Sequence, residues 1–162
     1  MKLLNFSLII ILFTISFSAC SVSKEARSLK KNINGNWVLE TITTEGITGV
    51  TKTTIFNEAE FGCFIGSEWN FIANNSMGSY TIVDPKKECP SVKRFIRWSI
   101  YEPKDAAKEF QFKRLNDKKN SMDNGNGFRL TVVQLGNSQM KLKSDIIYAG
   151  HSAAIIYNFV KK

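Results

Sequence analysis

The sequence predicts an all-β protein, an antiparallel up-and-down barrel of about eight strands. Beyond residue 33, short runs alternate apolar and polar residues, and turn-forming segments such as residues 74–76 and 136–138 separate them. No run in this part of the chain has the period of a long amphipathic helix. Because every open sheet edge leaves backbone groups unpaired, closure of the strands into a barrel is the favoured architecture.

The expected strands follow in order from these runs. Trp37, Leu39 and Thr41 share one face of the first run, and a weaker run covers residues 53–61. Residues 116–127 are rich in Asn, Asp and Gly and predict a loop, whose spacing does not match a calcium-binding EF-hand. The other positions expected on inward faces are Trp69, Phe71, Ala73, Tyr80, Ile82, Ile96, Trp98, Ile100, Phe110, Phe112, Leu130, Val132, Met140, Leu142, Ile155, Tyr157 and Phe159.

Residues 1–19 have the three parts of a secretory signal peptide, which are the basic Lys2, an apolar stretch over residues 3–17 and a small-residue exit. The apolar stretch is shorter than the roughly 20 residues that a membrane-spanning helix needs. We therefore expect residues 1–19 to be cleaved, residues 20–33 to form a linker with one loose helical turn, and residues 34–162 to form the barrel domain.

The segment Ser18-Ala19-Cys20 resembles a bacterial lipobox. This resemblance implies a lipid-modified Cys20 that anchors the protein to an envelope membrane, since two or more acyl chains make anchoring stable. The alternative is ordinary cleavage that leaves a free thiol at the new terminus. Ser21, rather than Asp, follows the cysteine, which by resemblance to known sorting rules favours the outer membrane. The periplasmic face and the cell surface both stay open.

The length of the chain limits the number of domains, and its charge limits the classes of binding partner. The chain has 162 residues and a formal net charge of +8, and loss of residues 1–19 removes only Lys2 among the charged residues. Such a length suits a single domain with one core, and we expect a monomer. The positive charge indicates either binding to anionic lipid head groups or a charged surface that keeps the protein soluble. The sequence contains no nucleic-acid-binding signature. A local basic cluster comprises Lys86, Lys87, Lys93, Arg94 and Arg97.

Two cysteines remain once Cys20 is lipidated. Cys63 and Cys89 form an even pair in a compartment that permits disulfides, and a bridge between them would contribute roughly 3 kcal/mol. These two cysteines and the single His151 lack the spacing of metal ligands, so we expect no metal and no cofactor.

An ordered series of motifs resembles the small lipocalin-like domains of bacterial envelope lipoproteins, over nearly all of residues 34–162. Gly35-Asn36-Trp37 matches the G-x-W that opens lipocalins, and the T-D-Y motif and C-terminal helix of larger lipocalins are absent. The resemblance implies a lipocalin-like barrel with Trp37 at its closed end, covered by Lys161 or Lys162. The rest of the series consists of Leu39, Cys63, Trp69, Asn70, Phe71, Asn75, Gly78, Tyr80, Cys89, Trp98 and residues 157–162.

We expect the barrel to bind a small hydrophobic or amphipathic ligand. The expected ligand-lining residues, which are also ordinary core residues, are Phe71, Tyr80, Trp98, Phe112 and Tyr157. The alternative is a solid-cored barrel that recognises an envelope macromolecule, and an apolar cavity of several hundred Å3 would favour the ligand.

We expect no catalytic activity. His151 has no Ser or Asp spaced to support a nucleophile. Glu58 and Glu60 stand two residues apart, a spacing that on a strand indicates a shared solvated face.

Overall fold

The fold is taken from a computed structural model, which describes residues 23–47, 52–83 and 88–162. The expected signal peptide, Cys20, Lys86 and Lys87 lie outside the described residues.

Eight strands form a closed antiparallel barrel, as the sequence predicted. Chain neighbours within the barrel are also neighbours in the sheet, and β1 closes the ring by pairing with β10 on one side and β4 on the other. The barrel strands are β1 (Gly35–Glu45), β4 (Glu68–Ile72), β5 (Met77–Ile82), β6 (Val92–Tyr101), β7 (Glu109–Leu115), β8 (Phe128–Leu135), β9 (Gln139–Tyr148) and β10 (His151–Lys161).

Within the described fold, two α-helices and a short hairpin lie outside the barrel sheet. A ten-residue helix, α1 (Lys24–Ile33), precedes the barrel. Between β1 and β4, the short strands β2 (Thr54–Ile55) and β3 (Ala59–Glu60) pair with each other and lead into a single helical turn, α2 (Phe61–Phe64). We call the end of the barrel where β1 begins the closed end and the opposite end the mouth.

Alternation along the strands builds one aromatic core. Trp69 on β4 pairs with Tyr80 on β5, and both side chains point inward and are buried. Thr41 differs from the expectation, because a bulge between Leu39 and Thr41 shifts the register and leaves Thr41 exposed.

Helix α1 replaces the expected linker. Ser23 caps it by accepting a hydrogen bond from the Ala26 amide at 2.9 Å, and Lys30 and Lys31 in its last turn complement the helix dipole. Only Ala26 and Ile33 of this helix are buried. Such a narrow apolar stripe is not enough to predict from the sequence that the helix packs on the barrel. Among the described residues, no helix has the length and apolar character to cross a membrane.

Candidate binding site at the barrel mouth

The closed end is sealed by Trp37. Its side chain is completely buried, its indole N–H donates to the Ile33 carbonyl at 2.7 Å, and the Lys161 ammonium lies 5.2 Å from the ring centre. Gly35 adopts φ +119°, and a Cβ there would come within 3.1 Å of the Lys161 Cε atom. The backbone conformation therefore favours glycine at the first position of the G-x-W motif, whereas the flexible end of the Lys161 side chain could move away from a Cβ atom.

The mouth is closed by a hairpin instead of by barrel strands. We call residues 54–60, which contain β2, β3 and the turn between them, the plug. At its tip, Phe56 is 7% exposed and its ring enters the barrel. The ring stacks on Tyr157 at a centroid distance of 5.3 Å and meets Phe112 edge-on at 5.1 Å. It also meets the rings of Phe64, Trp69 and Phe128.

The turn of the plug is conformationally strained. The Glu58 amide donates to the Ile55 carbonyl at 3.1 Å, and the two residues between them, Phe56 and Asn57, have φ of 52° and 51°. Asn tolerates the left-handed region, whereas for a bulky residue such a φ costs about 1–3 kcal/mol. The contacts of Phe56 and Glu58 with the barrel must offset this cost.

Glu58 joins the plug to two arginines and a tyrosine of the barrel. Its Oε2 atom accepts hydrogen bonds from Tyr80 Oη at 2.7 Å, Arg94 Nε at 2.9 Å and Arg114 Nη1 at 2.7 Å. Its Oε1 atom accepts a bond from Arg94 Nη2 at 2.8 Å. The side chain of Glu58 is 9% exposed, so this carboxylate is held in a largely desolvated, cationic environment.

Asp123 is the second anion of this cluster. Arg114 Nε donates to Asp123 Oδ2 at 2.8 Å and Arg114 Nη2 to Asp123 Oδ1 at 2.6 Å. Asp123 begins a 3-10 turn, Asp123–Gly125, inside the loop predicted at residues 116–127. The Arg114 side chain is 6% exposed, so its charge is balanced almost entirely by the two carboxylates.

Both carboxylates are stabilised in the charged form. Burial favours neutral Glu58, but hydrogen bonds from Arg94, Tyr80 and Arg114 outweigh that effect and hold the pKa of Glu58 below its ordinary value. The hydrogen bond from Arg114 likewise lowers the pKa of Asp123. Burial and the hydrogen bond to Glu58 raise the pKa of Tyr80, so its hydroxyl stays a donor.

The five residues expected to line a ligand site are all buried, and they divide into two groups. Phe112 and Tyr157 touch Phe56, and Tyr80 bonds to Glu58, so these three lie against the plug. Burial raises the pKa of Tyr157 to about 12, which keeps its hydroxyl neutral.

The other two, Phe71 and Trp98, lie deeper, towards the closed end. Their rings are 5.7 Å apart, and Phe110 packs against both. The Trp98 indole N–H donates to the Met77 carbonyl at 2.9 Å, and Lys30 of α1 lies 5.8 Å from its ring centre.

Sequence reasoning missed the ionic cluster. It placed Glu58 on a solvated face and Arg94 in an exposed basic cluster, whereas both belong to the mouth. The periodicity contains a signal for the arginines. Arg94 is two residues before the inward-facing Ile96, and Arg114 is two residues after the inward-facing Phe112. Charged residues at inward positions near strand ends indicate a polar site in a barrel mouth.

The expected disulfide is present. Cys63 in α2 is bridged to Cys89, with the Cα atoms 5.6 Å apart. This bond ties the segment after the plug to the connection between β5 and β6.

Two clefts bear on the function. A cleft of about 240 Å3 lies beside the plug, and its apolar wall includes Phe56, Ile146, Ile155 and Tyr157. A larger cleft of about 610 Å3 lies over the outer face of β6, β7 and β8, where Arg97, Lys113 and Arg129 are exposed. Within the described ranges, no group of three or more His, Cys, Asp or Glu side chains is placed to hold a metal ion.

Comparison with known proteins gave likenesses in structure alone. No protein-family model matches the chain, and no curated protein matches it. A crystal structure of a lipocalin-like protein from Bacteroides uniformis is similar, with 16% identity and a TM-score of 0.47, over 81% of this chain and 99% of that one.

Two solved structures of bovine odorant-binding protein are also similar. One is a deswapped triple mutant, with 12% identity, a TM-score of 0.41 and coverage of 81% of this chain and 74% of that one. The other is the protein from bovine nasal mucosa, with 10% identity, a TM-score of 0.41 and coverage of 88% and 76%.

Proposed function

We propose that the chain is a binding protein that takes up a small hydrophobic or amphipathic molecule at the mouth of its barrel. The observation that carries this proposal is Phe56, a bulky apolar side chain that a connecting hairpin inserts among inward-facing rings. Because the ring belongs to a hairpin outside the barrel, movement of the plug alone would expose an apolar surface. The ligand's apolar part would take the place of Phe56, against Phe112 and Tyr157.

Phe71 and Trp98 belong to the deeper part of the proposed site. They pack against each other and Phe110, so a ligand that entered from the mouth would reach them only after passing Trp69 and Phe112. We assign first contact with the ligand to Phe112, Tyr157 and Tyr80.

Location and anchoring form a second part of the proposal. We infer from the lipobox-like segment that the protein is anchored through lipids on Cys20 in a bacterial envelope, at the outer membrane, and acts as a monomer. A binding protein with this anchor would exchange amphipathic molecules with the membrane beside it.

The test uses the neutral amphiphile 1-decanol with the wild-type chain and with Phe56→Ala. Trp69 reports on the site, because its ring centre is 6.1 Å from that of Phe56. We expect 1-decanol to change the tryptophan fluorescence of both proteins. Truncation of Phe56 should raise the affinity by about tenfold, since the variant no longer has to displace the ring.

The matched control is Phe95→Ala, which truncates a phenylalanine at an outward-facing position of β6. It should leave the affinity for 1-decanol unchanged. Native mass spectrometry of the protein extracted from its membranes adds an unbiased search and should find an adduct of lipid mass. The absence of binding in the wild type and in Phe56→Ala would refute the proposal.

A second candidate function is that of a solid-cored interaction module for an envelope macromolecule. The observation in its favour is the deep core, where Phe71, Trp98 and Phe110 fill the space ring against ring. The cleft that includes Arg97, Lys113 and Arg129 would then be the contact surface for an anionic partner. Failure of both proteins to bind 1-decanol, with no adduct, would favour this function.

A further inference from the structure

We propose that the ligand carries a single carboxylate and that Glu58 occupies the place of that carboxylate when the plug is closed. This inference rests on the function proposed above, because it assigns the head group of the same ligand. The receiving groups are Tyr80, Arg94 and Arg114, which we call the arginine site.

The geometry of the arginine site fits an isolated carboxylate. Arg94 approaches both oxygens of Glu58 with two parallel N–H donors, Nε at 2.9 Å and Nη2 at 2.8 Å. Arg114 Nη1 and Tyr80 Oη add one bond each, both at 2.7 Å. All four donors come from barrel strands, whereas the acceptor comes from the plug. The site is therefore complete without the plug, apart from its anion.

The charge of the site specifies a monoanion. With Glu58 in place, two arginines face two carboxylates, since Asp123 bonds to Arg114 through both oxygens. Removal of Glu58 leaves Arg94 and Arg114 opposite Asp123 alone, a net charge of +1. Arg114 is almost fully buried, so a remaining positive charge would be poorly solvated. One carboxylate restores the balance, and a neutral molecule does not.

The plug is attached in a way that permits this exchange. The segment after it is fixed, because Cys63 of α2 is bridged to Cys89 and the Leu39 amide donates to the Ser67 carbonyl at 3.0 Å. Beside the buried side chains of Ile55 and Ala59, two contacts hold the plug tip, the Phe56 ring and the Glu58 carboxylate, and the turn has two residues at positive φ. Both contacts have a counterpart in a fatty acid, whose tail would replace the Phe56 ring and whose carboxylate would replace Glu58.

The experiment measures the affinities of the purified full chain for decanoate and for 1-decanol near neutral pH, by calorimetry and tryptophan fluorescence. The informative quantity is the ratio of the two affinities. A change that merely loosens the plug raises both affinities and cancels in the ratio. 1-Decanol has no anion to take the place of Glu58, so we expect it to displace the Phe56 ring and to leave the Glu58 carboxylate on the two arginines. Competition for the arginine site therefore acts on decanoate alone.

We expect wild type to prefer decanoate. Glu58→Gln should raise the ratio by about tenfold further, because the resident anion no longer competes. Arg94→Gln should lower the ratio by about tenfold, because the two-pronged contact is lost. The matched control is Glu60→Gln, two residues from Glu58 and exposed, which should leave the ratio unchanged. Decanoate should also speed hydrogen exchange in residues 54–60, as the plug leaves its seat.

Three results would overturn the inference, and they are distinguishable. Binding of both molecules with a ratio that neither Glu58→Gln nor Arg94→Gln alters would refute the carboxylate site and leave the proposed function standing. Binding of neither molecule by any variant would refute the function, and the inference with it. A loss of stability in Glu58→Gln without a change in the ratio would make Glu58 a purely structural residue.

Discussion

The ammonium of Lys161, at the end of the last strand, lies over the ring of Trp37, near the start of the first strand. The same ammonium donates to the Asn32 carbonyl at 3.1 Å. Lys161 thus connects the first strand, the last strand and the end of α1 at the closed end of the barrel. It also distinguishes Lys161 from Lys162, which pairs with Glu68 at the surface.

This arrangement predicts unequal roles for the two lysines. Lys161→Met should lower the free energy of unfolding by about 0.5–1 kcal/mol through loss of the cation–π contact. Lys162→Met, the matched control, should change it by less than about 0.5 kcal/mol, because its ion pair is exposed. Urea unfolding measures both values. Equal effects of the two substitutions would contradict the prediction.

Trp37 itself is expected to matter for stability. Trp37→Phe leaves a void at the closed end and removes the donor to the Ile33 carbonyl, so we expect a loss of about 2–3 kcal/mol. Binding of 1-decanol should survive, because Trp37 is at the end opposite the plug. A Trp37→Phe variant that keeps its stability and loses binding would place the ligand site at the closed end instead.

The ionic cluster at the mouth predicts a loss of stability in acid. The pKa values of Glu58 and Asp123 are lower in the folded chain than their ordinary values of 4.5 and 3.8. Their stabilising effect is therefore complete above these ordinary values and is lost as the pH falls through the lower folded values.

Asp123→Asn checks the assignment. It should cost about 1–3 kcal/mol near neutral pH, since Arg114 loses charge-assisted hydrogen bonds. The variant should also show a smaller decrease in stability between neutral pH and pH 3 than wild type. Asp117→Asn, in the same loop and exposed, serves as the control. Identical pH profiles for wild type and Asp123→Asn would speak against the cluster.

The disulfide should stabilise the chain and fix the base of the plug. The double substitution Cys63→Ala with Cys89→Ala opens a loop of sequence separation 26 and should lower the free energy of unfolding by about 3 kcal/mol. Non-reducing peptide mapping should find the two cysteines linked. Recovery of both as alkylatable thiols from oxidised native protein would be incompatible with the bridge.

The lipid anchor that we propose at Cys20 predicts a change of compartment when this cysteine is replaced. Cys20→Ala should release the chain from bacterial membranes and abolish its labelling by a fatty-acid probe, because no acyl chain can then be attached. Fractionation and labelling of wild type and variant measure this. A wild-type chain that is unlabelled and free of membranes would show that Cys20 is not an anchor.

Strand periodicity in the sequence was enough to predict the barrel and most of its core residues. Residues such as Trp69, Tyr80 and Phe112 were assigned inward because the side-chain period of a strand is two, whatever the strand's partners. The alternation rule does not, however, predict where a bulge interrupts the strand register. The bulge after Leu39, which turns Thr41 outward, was therefore not predicted.

The contents of the mouth depend on contacts between residues that are far apart in the sequence. The sequence alone predicts that Glu58 is exposed to solvent. Only the fold brings it to Arg94 and Arg114, which are 36 and 56 residues away. The packing of helix α1 could not be predicted either. Only Ala26 and Ile33 of this helix are buried, and the barrel end on which they rest is formed by strands that are distant in the sequence. Strand periodicity depends on neighbouring residues. The pairing of Glu58 with the arginines and the packing of α1 on the barrel depend on which distant surfaces meet, and these surfaces form only when the strands close into the barrel.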